Sequence, residues 1–316
     1  MNRMKQERGA VLLLVLVIIA LLATLVTEFA SSTLVDMRLT ESYRDSNQSY
    51  YLAKGGVEAA RRILADDTNG WDSRDEFWAS GVDRYPVGEG WVSIDIEDRD
   101  GRLNLNRLVK VLNREERRDN PDPVYIDRFT RLLELVGAPD PPALTDALID
   151  WLDFDDRVVG AGAESNYYLN LQTPYPAKNG ALDSVSELTM VRGFDNEVVR
   201  LLEPYVTVRS SPRLNLNTAS AEVIACWAQE DMTIEIAETI VEFRDNAPLQ
   251  SLDDLKDVPG YDIGWESALK QNADVGVQST IFRVRTQGSV GEGASRVEAT
   301  VQKGSRSSEL LTWKVD

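Results

Sequence analysis

The hydrophobic pattern of the chain begins with one uninterrupted apolar run near the amino terminus. Residues 10–26 carry a single polar side chain, Thr24, and they follow a short basic lead that ends at Gly9. As a helix this run is about 26 Å long, which nearly spans the hydrocarbon core of a bilayer. An amphipathic pattern continues beyond it, so the sequence predicts one long helix over residues 11–64 with its first third in lipid.

Alternating patterns on both sides of a helical region predict a small sheet. Val92, Ile94 and Ile96 share one face of a half-buried strand, and a DRDG turn and a short RLNLN strand follow it. Strand patterns return at residues 277–290, 294–303 and 308–316. Between the two sets, helical patterns cover residues 107–113, 124–137 and 142–153. The strands therefore flank a large helical insert.

Two segments of this insert recur in the same order. RLNLNRL at Arg102 returns as RLNLNTA at Arg213, and SVSELTMVRGF at Ser184 returns as SLDDLKDVPGY at Ser251. The segments at Ser184 and Ser251 are each predicted to form a short helix, with Ser as the N-cap, an acidic residue three positions later and Gly at the C-terminal end. The recurrence predicts a duplicated helical module.

The second module resembles the helix-hairpin-helix class through NLNTASAEVI, IAETIVEFRDNAPLQSLDDL and VPG. DNA-binding members use a Gly-bearing hairpin whose backbone N–H groups hold phosphate. The equivalent hairpin here is CWAQEDMTIE, which has no Gly and three acids. This sequence predicts a module that packs against protein and lacks the phosphate site.

Composition narrows the chemistry further. The net charge of −18 disfavours DNA, RNA and anionic lipid, and its ordinary consequence is solubility. The absence of His removes the commonest general base and zinc ligand, so an enzyme is disfavoured. The only cysteine, Cys226, lies in an apolar helical stretch, which predicts a buried structural thiol.

One loop gathers five carboxylates around two glycines, Gly160 and Gly162. They are Asp150, Asp153, Asp155, Asp156 and Glu164. Carboxylates this close repel one another unless a positive charge offsets them, and oxygen ligands favour calcium or magnesium over zinc. A solvated acidic loop neutralised by Arg157 and a paired-carboxylate hydrolase are the alternatives.

The ordered set of segments resembles the minor pseudopilin K family of type II secretion. The segments that carry the resemblance are the leader ending in Gly9, YYLAKGGVEAA, DRDGRLNLN, LIDWLDFDD, AESNYYLNL, NGALDSVSELTMVRGF, LLEPYVTV and RLNLNTAS. The resemblance implies that prepilin peptidase cuts after Gly9 and that Ala10 becomes the methylated amino terminus. Most pilin-like chains carry Glu at the position of Leu14, and the K subtype lacks it.

The resemblance also implies an α+β fold, in which a pilin-like helix and small antiparallel sheet hold an inserted α-helical domain with SAM-like or helix-hairpin-helix-like modules. The expected divisions are 1–9 (leader), 10–27 (transmembrane and assembly helix), 28–101 (periplasmic helix and first strands), 102–208 and 209–277 (two helical modules) and 278–316 (last strands). Calcium is the expected metal, with Asp153, Asp155, Asp156 and Glu164 as its ligands.

The implied role is a structural one, at the tip of the pseudopilus, where the subunit starts and caps assembly for export of folded periplasmic proteins. The expected partners are minor pseudopilins I and J, the major pseudopilin and prepilin peptidase, with the secretin and secreted proteins beyond them and no nucleic acid. The chain would cross the inner membrane once, with its C-terminal domain in the periplasm. The alternatives are a minor pilin of a type IV pilus and a membrane-tethered DNA-uptake protein.

Overall fold

The computed structural model describes residues 3–113, 115, 118–228, 232–271 and 274–315, with the backbone alone for residues 3–10. The helices in this part of the chain are α1 (Arg3–Asp66), α2 (Pro123–Leu135), α3 (Pro141–Leu152), α4 (Ser165–Tyr168), α5 (Asn196–Leu202), α6 (Ala221–Trp227), α7 (Ile234–Asn246) and α8 (Ile263–Lys270). The strands are β1 (Val82–Val87), β2 (Gly90–Asp98), β3 (Leu103–Asn104), β4 (Val109–Asn113), β5 (Arg118–Pro121), β6 (Val206–Thr207), β7 (Leu214–Asn215), β8 (Val275–Gly276), β9 (Ile281–Val290), β10 (Gly293–Lys303) and β11 (Ser308–Val315).

The predicted long helix is confirmed as α1, which runs for 64 residues. Its side chains are all exposed over residues 11–44, and its most apolar window has a mean hydropathy of 2.8. The Thr24 hydroxyl donates to the Ala20 carbonyl at 2.9 Å, so this polar group is satisfied within the helix. The helix is long and apolar enough to cross a membrane.

The second half of α1 lies on a five-stranded antiparallel sheet with the order β1-β2-β9-β10-β11. Val92, Ile94 and Ile96 of β2 are buried against the helix, as the alternation predicted. The predicted carboxyl-terminal strands are also confirmed as β9, β10 and β11. Edge strand β1 was not predicted, because its VDRYPV sequence alternates poorly and contains Pro86.

Helix and sheet approach closely where glycines replace side chains. A Cβ built on Gly288 of β9 would lie 2.1 Å from the Ser49 carbonyl oxygen and 2.7 Å from the Ala53 amide nitrogen of α1. The Thr286 hydroxyl, two residues away, donates to the Ala53 carbonyl at 2.8 Å. The helix backbone is therefore held directly against the strand.

The helical insert leaves the sheet after β2 and returns to it at β9, and it has a hydrophobic core of its own. One cluster of buried side chains extends from Leu103 to Val277 and includes both predicted modules. The prediction of a helix over residues 107–113 was wrong. These residues form β4, which pairs with β5, because Val109 and Val111 suit a strand and the hairpin supplies their hydrogen-bond partners.

The recurring segments occupy equivalent places in the insert. Each RLNLN copy forms a two-residue strand that pairs in parallel with a later one, β3 with β6 and β7 with β8. The last Asn of each copy binds the backbone of one distant residue through two hydrogen bonds. The Asn106 side chain accepts from the N–H of Leu182 and donates to its carbonyl, and Asn217 does the same with Leu249. The repeated sequence thus carries a repeated hydrogen-bond pattern.

The two repeated segments that begin at Ser184 and Ser251 differ in detail from the predicted capped helices. Both form 3₁₀ helices, Val185–Met190 and Leu252–Asp257, and only Ser251 forms the predicted capping box, with Asp254. Ser184 makes no side-chain cap. The acid of that repeat, Glu187, instead accepts from the Asp183 amide at 3.0 Å and the Trp151 indole N–H at 3.0 Å.

The hairpin of the second module joins α6 to α7, and its residues 229–231 lie outside the described residues. Cys226 in α6 is fully buried, as predicted. Burial raises the pKa of its thiol to about 12, which keeps it protonated and unreactive.

A polar network closes the junction between insert and sheet. Asp98, the last residue of β2, accepts from the Ser279 hydroxyl at 2.7 Å and from the Asn215 amide at 3.4 Å. Asp100 accepts from the backbone N–H of Ser211 at 2.6 Å and of Thr280 at 2.7 Å. Both ends of the insert are therefore held by the same two carboxylates.

Gly288→Ala should destabilise the protein by about 2 kcal/mol, because the added methyl group meets the α1 backbone and must displace it. Gly55→Ala is the matched control: its Cβ would have no atom within 4 Å, and Ala in an exposed helical position stabilises by about 1 kcal/mol. Thermal melting of the full chain in detergent measures both. Equal melting temperatures for the two variants would contradict this account of the interface.

Candidate metal centre

The acidic loop is formed by the end of α3 and the start of α4. Asp150 lies in the last turn of α3, and Asp153 is its C-cap residue, with its N–H bonded to the Ile149 carbonyl at 2.9 Å. The chain then turns outward and returns so that Glu164 precedes α4 as its N-cap residue. These three residues are brought together because the loop closes on itself.

Their carboxylates form a buried cluster. Asp150, Asp153 and Glu164 each offer an oxygen within 4.8 Å of the others, and the residues are 0 %, 6 % and 2 % exposed. Four buried oxygens have no hydrogen-bond partner in the described part of the chain: Asp150 Oδ2, Asp153 Oδ1 and both Oε atoms of Glu164. Buried carboxylate oxygens without partners are unfavourable, so this arrangement favours the binding of protons or a cation.

The pKa values show how unfavourable the ionised cluster is without a cation. Burial, with repulsion from neighbouring carboxylates, raises the pKa of Asp150 to about 6, of Asp153 to about 7 and of Glu164 to about 8. Arg157 does not neutralise them: its side chain is exposed, and none of the three carboxylates forms an ion pair within the described residues. The reading as a loop neutralised by Arg157 therefore fails on geometry.

The donor set fits a hard divalent cation. Every unpartnered atom at the cluster is a carboxylate oxygen, and calcium takes six to eight oxygen ligands while magnesium prefers six. Three carboxylates supply part of such a shell, and water completes it in ordinary sites. Asp150, Asp153 and Glu164 are the residues that would hold the ion.

Two glycines allow the loop to approach α3. Gly160 has a φ of +49°, and a Cβ there would lie 2.1 Å from Asp146 Oδ2. A Cβ on Gly162 would lie 2.2 Å from Asp150 Oδ2, one of the unpartnered oxygens. The Val159 amide donates to Asp150 Oδ1 at 3.0 Å, which fixes that carboxylate and directs its other oxygen into the cluster.

The structure brings two of the four predicted ligands into this cluster and leaves two outside it. Asp153 and Glu164 lie in the cluster, whereas Asp155 and Asp156 are exposed and outside it. Asp155 Oδ1 accepts the Arg157 N–H at 2.8 Å in a local turn, and Asp156 Oδ1 lies 3.4 Å from the Asn179 amide nitrogen. Asp150 was not among the predicted ligands. Its position three residues before Asp153 at the end of a helix indicates that the two side chains lie on the same face of that helix.

A second group of acidic residues differs from this cluster because a lysine neutralises it. Asp67, Asp72 and Glu76 also come within ligand distance of one another. Here Lys303 Nζ lies 2.6 Å from Asp67 Oδ2 and 2.6 Å from Asp72 Oδ1, so an ammonium group already provides the positive charge. This group is an internal ion-pair network that holds β10 to the end of α1.

The positions tied to processing and assembly lie in α1. Gly9 and Ala10 belong to its helical backbone, and their side-chain surroundings lie outside the described residues. Leu14 is 63 % exposed on the apolar segment. The surface around it is therefore uncovered in the single chain.

The apolar helix that fits a membrane anchor, the small antiparallel sheet and the helical insert together place this protein in the pilin-type class. Two sequence models described as type II secretion system (T2SS), protein K, match residues 101–211 and 214–276. The chain belongs to this protein K family. Its members are structural components of a secretion system and not enzymes, so the hydrolase alternative falls away.

Curated relatives agree over most of the chain. The type II secretion system protein K of Pseudomonas aeruginosa is 29% identical over 310 residues, which are 94% of this chain and 89% of the relative. The protein of the same name from Klebsiella pneumoniae is 30% identical over 249 residues, 76% of each chain.

A solved structure shows the same fold. A chain in the crystal structure of the GspK–GspI–GspJ complex from enterotoxigenic Escherichia coli superposes with a TM-score of 0.72 and 19% identity. The match covers 88% of this chain and 99% of that one.

Asp150→Asn should remove most of the stabilisation that calcium gives, because it takes a buried ligand charge from the cluster. Asp156→Asn makes the same chemical change outside the cluster and should leave the effect intact. For the unsubstituted protein, calcium at a hundredfold excess over Kd should add about 2.7 kcal/mol. Thermal melting in calcium and in chelator is the measurement, and the opposite order of the two variants would contradict this ligand set.

The metal-free protein should lose stability as pH rises from about 5 to 8. The folded state holds protons on these carboxyls above the pKa of about 4 that they have when unfolded, so ionising them as pH rises disfavours the fold. Calcium competes with the same protons, so its stabilising effect should increase over that interval. Glu164→Gln should flatten the pH profile in chelator, and an unchanged slope in that variant would exclude the cluster as its cause.

Proposed function

We propose that this chain is the tip subunit of a type II secretion pseudopilus, where it starts and caps the assembly. It would be anchored once in the inner membrane with its folded part in the periplasm. The insert is the observation that carries the proposal, because its position at one end of the pilin-type unit suits a subunit that nothing follows.

Contacts along α1 support this position. Asp45 lies against Gly291 and Gly293 at the β9–β10 turn, on the side of the sheet nearest the apolar segment. Lys303 pairs with Asp67 just beyond the other end of α1. The insert leaves the sheet near the carboxyl end of α1, next to Phe282, so its volume lies on the side away from the membrane. A bulky domain there would obstruct a further subunit above it.

Leu14 supports the same proposal. In pilin-like filaments a Glu at this position neutralises the amino terminus of a neighbouring subunit, and a subunit at the top has no such neighbour above it. A leucine also avoids the penalty of an unpaired charge in hydrocarbon, about 3 kcal/mol at a helix centre.

Resemblance to the family supports the remaining parts of the proposal. Prepilin peptidase would cut after Gly9, and Ala10 would become the methylated terminus. Minor pseudopilins I and J would be the direct partners, with the major pseudopilin below and the secretin and secreted proteins as later contacts. Calcium would stabilise the insert, whose modules we take to be SAM-like and helix-hairpin-helix-like without a nucleic-acid site.

Leu14→Glu tests the tip position, and Leu13→Glu is its matched control. Both place one carboxylate at nearly the same depth, about 100° apart around the helix. At the tip no amine reaches position 14, so the two variants should behave alike and give equal or weaker co-purification with I and J. Pseudopilus length under overproduction of the major subunit is the second measurement. Longer filaments that contain only the Leu14→Glu variant along the shaft would contradict the proposal.

A further inference from the structure

A cleft between the sheet and the helical insert concentrates positive charge in this acidic protein. Its volume is about 780 Å³, and β9, β10 and β11 form one wall while residues from the insert form the other. Three acids line it, Asp183, Glu203 and Glu298. Twice as many basic residues do: Arg99, Arg102, Arg200, Arg209, Arg283 and Lys314.

The innermost arginines share one carboxylate. Glu97 of β2 forms ion pairs with Arg102 and Arg283 and a longer one, of 3.4 Å, with Arg99. Although burial opposes it, the arginines lower the pKa of Glu97, and burial together with Arg102 lowers the pKa of Arg99 to about 10. Three guanidinium groups around one carboxylate leave an excess of positive charge in a partly desolvated place.

Several donors in the cleft have no partner. The Arg283 Nε atom is buried without a hydrogen bond in the described part of the chain. The exposed Arg209 side chain likewise has no ion-pair or hydrogen-bond partner among the described residues, and Arg200 uses only Nε, to the Asn196 carbonyl at 3.1 Å. Guanidinium forks bind carboxylates in bidentate fashion, so this arrangement is suited to carboxylate oxygens.

The position of the cleft excludes a lipid head group as its ligand. Thr286 contacts α1 at Ala53, and Arg283 lies further along β9, away from the membrane. The apolar run ends near residue 26, so the cleft is at least about 40 Å beyond it along the helix. Nucleic acid is disfavoured by the net charge of −18.

We propose that this cleft binds an acidic segment of another polypeptide, whose carboxylates pair with Arg200 and Arg209. The charge of the cleft is complementary to such a segment, and its volume accommodates several acidic side chains. This site is separate from the acidic metal cluster and does not depend on the position of the subunit in a filament.

The test uses the full chain in detergent and a fluorescent hexaglutamate peptide, with hexaglutamine as the neutral comparison and anisotropy as the measurement. Hexaglutamate should bind at low salt, and the double variant Arg200→Ser, Arg209→Ser should weaken it by about tenfold or more. The double variant Arg38→Ser, Arg296→Ser removes the same charge from exposed positions outside the cleft and should bind normally. Equal weakening in both double variants would overturn the proposal, since general charge would then explain the binding.

A second variant gives an effect of opposite sign. Glu97→Gln removes the carboxylate that occupies three arginines, so hexaglutamate should bind more tightly, provided that melting shows the variant folded. Unchanged or weaker binding in the folded variant would contradict the assignment. Inorganic phosphate at matched charge concentration should not displace the peptide; displacement would indicate a site for free anions instead.

Discussion

The fold depends on the meeting of the two ends of the insert at one point of the sheet. β2 and β9 are neighbouring strands, and Asp98 faces Phe282 in their register, although most of the folded part of the chain lies between them. Asp98 and Asp100 accept hydrogen bonds from residues that precede β9 and from the centre of the insert. Because these carboxylates are buried, the bonds are needed to compensate their desolvation, and they fix the insert relative to α1.

The junction between the insert and the sheet also determines where ionisable side chains are buried. A polar junction between two hydrophobic cores has to bury ionisable groups, and it does so as ion pairs, as with Lys303 and the acids of the α1 end. Two places depart from that balance. The loop after α3 holds three buried carboxylates that form no ion pair with a basic side chain among the described residues, and the cleft beside Glu97 holds more guanidinium groups than carboxylates. Such imbalances are unfavourable in the isolated chain, which is why both are candidates for binding.

The insert also gives the pilin-type unit a second hydrophobic core. The core between α1 and the sheet is separate from the core of the insert, which lies at the end of the sheet farther from the apolar segment. The close packing of Gly288 on α1 fixes the sheet directly against the helix, and the insert is attached to that sheet through β2 and β9. A structural role in secretion is consistent with both features.

Local patterns along the chain were enough to predict the long apolar helix, the strands at either side of the insert, the repeated RLNLN segments and the acidic loop. Local pattern misassigned residues 107–113, because Val109 pairs with β5 only once the hairpin forms. Local pattern also could not show which of the five carboxylates in the acidic loop form the buried cluster. Asp150 and Glu164 are 14 positions apart and meet only because the loop folds back onto α3 at Gly162, whereas Asp155 turns outward to bond its own loop. Contacts of this kind are fixed by loop closure and packing, which no periodicity in the sequence records.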